Sequence, residues 1–131
     1  MSWRVVASAI AFSSILGSEN VQRMMPTPRN DAVMLIVQES LRRRVPAELA
    51  LELAWEESRW RPDALRLEPG DRGCDGGLFQ VNHATCELPE SAEQVREGMA
   101  IVAKWWVRTE MDWRETVWAY RHGHLREGFT R

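Results

Sequence analysis

Between residues 61 and 76 the chain carries Pro62, Pro69, Gly70, Gly73 and Gly76. Proline fixes its own φ and lacks an amide donor, and glycine loses more freedom on ordering than any other residue. No helix or long strand can run through such a stretch. It predicts a long irregular loop with room for a short hairpin, and long loops inside compact domains are often functional. The flanks must then supply the core, and they do so with helical periodicity. Asn30 is placed to cap a helix running to about Arg43, with Ala32, Val33, Leu35, Ile36 and Val37 as its apolar content. Pro46 suits the first turn of a second helix, ending near Arg59. Residues 77–90 read as a short apolar turn and a further loop. Ser91-Ala92-Glu93-Gln94 has the form of a capping box, opening a helix to about Thr109 with Val95, Met99, Val102 and Trp106 at helical spacing. Asp112 caps a last helix through Tyr120, and Gly123 ends it. The 131 residues fit one mainly helical domain with a cleft-sized loop region in the middle.

Charge and composition narrow the function. A net charge of −2 argues against binding nucleic acid through phosphate neutralisation. The one basic run, Arg42-Arg43-Arg44, closes a helical pattern, where cations suit the carbonyl end. Seven tryptophans are many for this length. Most are expected in the core, though an indole face also stacks on sugar rings. His83, His122 and His124 have no metal-ligand spacing, and no cofactor is implied. At the N-terminus a single Arg4 precedes the apolar stretch Val5 to Gly17. Residues 1–18 therefore read as a signal peptide, with a buried apolar helix as the alternative, and residues 19–29 as a connector to a domain over 30–131. The apolar stretch is too short to span a bilayer comfortably.

The helix over 46–59 carries four glutamates. Glu48, Glu52 and Glu56 recur every four residues and form an acidic stripe, which is expected to face water. Glu57 is off that stripe. Its neighbours three, four and seven residues back are Ala54, Leu53 and Ala50. A carboxylate on an apolar face is costly to ionise, so its pKa rises, which suits proton donation near neutral pH. The structural alternative is a helix-end glutamate paired with Arg59 or Arg61. Cys74 and Cys86 flank the turn that follows the loop. In an oxidising compartment a disulfide there would contribute about 3 kcal/mol in the chain-entropy model. In the cytosol two reduced thiols are expected instead.

Three segments recur in order along the chain. Glu57-Ser58 ends a helix and is followed by Trp60 and Pro62. Asp75-Gly76-Gly77-Leu78-Phe79-Gln80-Val81-Asn82 comes next, and Ala119-Tyr120-Arg121-His122-Gly123 lies near the C-terminus. Together they resemble the lytic transglycosylase family, whose members carry a helix ending in Glu-Ser, a Gly-Leu-x-Gln turn and an Ala-Tyr-Asn-x-Gly segment. Arg121 stands where that family has Asn. The turn also resembles that of the c-type lysozymes, where a catalytic Asp occupies the place of Asp75. The chain looks closest to the small specialised transglycosylases of secretion, conjugation or phage systems.

The resemblance implies a mainly α, lysozyme-like α+β fold, a sugar-binding cleft and peptidoglycan glycan strands as substrate. Glu57 would be acid and then base in a transglycosylase, and a hydrolysing muramidase would add Asp75 as second carboxylate. A non-catalytic peptidoglycan-binding component is the alternative of another class. On this reading Ser58, Gln80 and Asn82 hydrogen-bond the sugar or brace the loop. Tyr120 holds Glu57, and Gly77 and Phe79 bring the turn close to the substrate. A monomer is expected, exported to the periplasm or cell wall or carried by a virion, with secretion, conjugation or phage components as partners.

Overall fold

The computed structural model describes residues 28–70 and 72–129. The expected export segment, and the connector as far as residue 27, lie outside the described residues. Four helices and a small antiparallel sheet follow in the order α1 (Pro28–Arg43), α2 (Ala47–Ser58), β1 (Leu65–Leu67), β2 (Cys74–Gly76), β3 (Val81–His83), α3 (Ser91–Arg108) and α4 (Trp113–His122). This is a mainly α, lysozyme-like α+β arrangement. Asn30 lies buried inside α1 instead of capping it, so residues 28 and 29 belong to helix and not to the connector.

The second helix is the centre of the molecule. Leu49, Ala50, Leu51, Leu53 and Ala54 are all fully buried, and α1, α3 and α4 pack around it. Of the acidic stripe, Glu56 is exposed as expected and Glu48 is half-buried. Glu52, expected to be solvated with Glu48 and Glu56, is only 3% exposed. Its Oε2 accepts the indole N–H of Trp113 at 3.0 Å. Ala32, Val33 and Ile36 from α1 and Val95, Met99 and Val102 from α3 complete the core.

At its C-terminal end α2 stops on Arg59, whose left-handed backbone returns its amide to the carbonyl of Trp55 at 2.8 Å. Trp60 folds back, its indole donating to the carbonyl of Leu51 at 2.8 Å. The chain then enters the sheet, ordered β1-β2-β3. The hairpin expected in the loop is β1–β2, and β3 adds a strand where a loop was expected. A disulfide joins Cys74, on β2, to Cys86 across a Cα–Cα distance of 5.2 Å.

The termini of α3 and α4 contrast. Asp112 caps α4 by accepting the amide of Glu115 at 2.9 Å, and Gly123 ends it with φ of 77°. The expected capping box at the start of α3 is absent, because Ser91 is already helical and the side chain of Gln94 is turned elsewhere. Midway along α3, Gly98 lets the helix lie directly on Phe79; a Cβ there would sit 2.3 Å from the ring. Ala is the better helix former by about 1 kcal/mol. Gly98→Ala is nonetheless expected to destabilise the fold by roughly 1–3 kcal/mol through overpacking. Denaturant unfolding checks this, and an unchanged or raised midpoint would contradict the close contact.

Candidate active site

The turn over residues 77–80 is held from several sides by side chains that reach its backbone. Gln94, buried on α3, accepts the amide of Leu78 through Oε1 at 2.9 Å. Its Nε2 donates to the carbonyls of Pro62 and Pro89, each at 2.9 Å. Ser58 donates its hydroxyl to the carbonyls of Ala54 and Leu78, each at 2.9 Å. Tyr120 donates to the carbonyl of Phe79 at 2.5 Å. Gln80 donates its amide to the carbonyls of Ala64 (3.1 Å) and Gly77 (3.0 Å). Gly77 has φ of 79°, and a Cβ there would lie 2.3 Å from the Gln94 oxygen. Only glycine meets both conditions.

Several residues expected to touch a sugar are therefore positioned otherwise. Ser58 is 3% exposed and Phe79 is 1% exposed, each inside the fold. Tyr120 stacks edge-on against Phe79 and directs its proton to that residue's carbonyl, not to Glu57. Burial raises its phenol pKa well above the ordinary range, with the charges of Glu57 and Asp75 adding to the effect. The physical reason is common to all of them. A four-residue turn packed among helices has backbone groups that water cannot reach, and nearby side chains must satisfy them.

Anchored in this way, the turn and the end of α2 bring together a set of charged groups. Glu57 is partly buried, on the penultimate residue of α2, with Ala50, Leu53 and Ala54 beneath it. Among the described residues its carboxylate has no hydrogen bond or ion pair. Arg61 donates instead to the carbonyl of Ser58, and Arg59 lies over the Trp55 ring. Desolvation raises the pKa of Glu57, the fields of Arg121 and Arg66 oppose the rise, and Asp75 and Glu56 add to it.

Asp75 has the opposite environment. The sheet register aligns Arg66, Asp75 and Asn82 as one cross-strand row. Arg66 Nη2 donates to Asp75 Oδ2 at 2.8 Å, and Asn82 Nδ2 donates to Oδ1 at 3.0 Å. Burial alone would raise the Asp75 carboxyl, but hydrogen bonds from Asn82, Arg66 and the Glu68 carboxyl, with the charge of Arg66, outweigh it and leave the pKa lowered. Arg66 also lies 3.4 Å from Glu68, so one guanidinium serves two carboxylates. Asn82 is exposed, its amide used by Asp75 and by the carbonyl of Arg72 at 2.9 Å. Arg121 points to Glu56 at 3.6 Å. Two carboxyls of one site thus have pKa values pushed apart, which is how acid and anion roles divide.

Residues 34–130 match the transglycosylase SLT domain family. The chain belongs to this family. No curated protein and no solved structure matches the chain. The SLT match places it among the lytic transglycosylases of the lysozyme-like superfamily, which act on peptidoglycan.

Sequence reading missed Arg66 and Gln94. The alternation Leu65-Arg66-Leu67-Glu68 was a strand signal that would have set Arg66 opposite Asp75. Nothing local marks Gln94, whose partners lie on two other loops.

A raised pKa on Glu57 has a consequence for stability. The folded state holds this proton more tightly than the unfolded chain, so the effect is lost as pH rises through the folded pKa, and above it an ionised, unpaired carboxylate weighs on the fold. Glu57→Gln is expected to melt at a higher temperature than wild type at neutral pH. The gap should close as pH falls below the ordinary glutamate value. Melting curves across pH check this, and a variant less stable at neutral pH would contradict the site as described.

Proposed function

We propose that this SLT-family chain is a peptidoglycan lytic transglycosylase. It cleaves the β-1,4 bond between N-acetylmuramic acid and N-acetylglucosamine and leaves a 1,6-anhydro end. The observation that carries the reading is the contrast between the two carboxyls. Glu57 is unpaired among the described residues and raised in pKa, while both Asp75 oxygens are engaged by Arg66 and Asn82. One carboxyl is therefore free to move protons.

In the proposed reaction Glu57 gives its proton to the glycosidic oxygen as the C1–O bond breaks. Positive charge develops on the muramic ring, and the fixed charge of Asp75 favours it. The Glu57 carboxylate then takes the proton of the C6 hydroxyl, O6 bonds to C1, and the residue returns to its starting state. No water enters. A hydrolysing muramidase is the second reading, favoured by the charge of Asp75 acting on Glu57. There Asp75 would assist the attack of water, which requires loosening at least one of its hydrogen bonds. The Cys74–Cys86 disulfide supports an exported, wall-facing location for the enzyme.

Mass spectrometry of muropeptides released from purified cell wall separates these readings. The transglycosylase yields 1,6-anhydro ends, and products carrying one added water contradict it. Glu57→Gln is expected to reduce release by roughly 100-fold or more, the usual contribution of a positioned proton donor. Release at the wild-type rate would mean that Glu57 is not the acid.

A further inference from the structure

We infer that a basic, aromatic pocket on the outward face of α4 binds the carboxylates of the peptide stems carried by muramic acid. The inference rests on the peptidoglycan reading above and extends it to a second part of the substrate.

The pocket has a volume of about 180 Å3, enough for one amino-acid side chain, and its walls include Trp113, Arg114, Trp118, Arg121, His122 and Arg126. Five of these six come from α4, at positions that recur on one side of the helix, while Thr116 and Ala119 on the other side are buried. Trp118 forms the centre. His122 stacks on it at 3.9 Å with planes 14° apart, and the Arg126 guanidinium lies 5.6 Å from its ring. Arg126 is held in place by Glu115 at 3.0 Å. Arg114 has no carboxylate partner among the described residues.

Of the three arginines in the pocket, Arg121 and Arg126 already face Glu56 and Glu115, so Arg114 is the cation available to an incoming carboxylate. Guanidinium groups present planar, paired donors suited to carboxylates, and an indole floor lowers the local dielectric around the pair. The pocket is also linked to the end of α2 that carries Glu57. Arg121 lines it and at the same time reaches Glu56, the residue beside Glu57. A glycan seated at Glu57 carries its peptide on the lactyl group of muramic acid, beside the helix end that Arg121 reaches. The stem ends in free carboxylates, which the pocket's charge and size fit.

The test is calorimetric titration of the full chain with a synthetic stem tetrapeptide, L-Ala-γ-D-Glu-diaminopimelyl-D-Ala, and with the same peptide after amidation of its carboxylates. The acidic peptide is expected to bind about ten-fold more tightly than the amidated one, the scale of one charge-assisted hydrogen bond. Arg114→Gln should lose that difference and Arg114→Lys should recover part of it, with unchanged melting temperatures because the side chain is exposed. Equal affinity for the two peptides, or a preference that survives in Arg114→Gln, overturns the inference. Cleavage is measured separately on cell wall. A protein that prefers the acidic peptide yet leaves the glycan uncut would overturn the enzymatic reading and not the pocket.

Discussion

The side-chain amide of Gln94 joins three segments that otherwise have no reason to meet. It takes the amide of Leu78 in the turn, the carbonyl of Pro62 after the central helix and the carbonyl of Pro89 before α3. Each of these backbone groups is cut off from regular secondary structure. A buried one left without a partner costs about 1–3 kcal/mol, so the three together are worth more than any surface ion pair in the molecule. With this anchor in place, Ser58 and Tyr120 can close on the turn from α2 and α4. The relative positions of Glu57 and the sheet follow from that closure. Gly77 and Gly98 are the allowances the packing needs, one for the amide of Gln94 and one for the ring of Phe79.

The chemistry of the site is a difference in environment between two acids. The apolar floor of α2 surrounds Glu57, and a carboxylate there loses hydration without gaining a partner. The cross-strand row surrounds Asp75 with donors, and its anion is favoured. Helical spacing fixes the first environment, and strand register fixes the second. Arg121 and Arg66 moderate the rise at Glu57.

Much of this was legible in the sequence where the determinant is local. Glu57 was separable from its neighbours by its offset from a four-residue repeat. The cap at Asp112 and the stop at Gly123 lie where their side chains and φ preferences put them. What escaped depends on partners distant in the chain. Glu52 belongs to an acidic repeat, yet an indole from Trp113 accompanies its burial. Ser91 and Gln94 have the spacing of a capping box, but tertiary hydrogen bonds claim Gln94 and leave Glu90 at the cap without a side-chain bond. The strand β3 is three residues long and shows too little alternation to be read. Of the two roles open to Ser58 and Gln80, bracing the turn is the one their hydrogen bonds show, and Tyr120 joins them on a carbonyl that no sequence spacing marks.

The split between the two carboxyls is open to direct measurement. Carbon-detected NMR of the side-chain carboxyls, followed across a pH titration of the full chain, reads both directly. Glu57 is predicted to titrate above the ordinary glutamate value and Asp75 below the ordinary aspartate value. If Glu57 loses its proton at or below the pH at which Asp75 does, the assignment of acid and anion is contradicted.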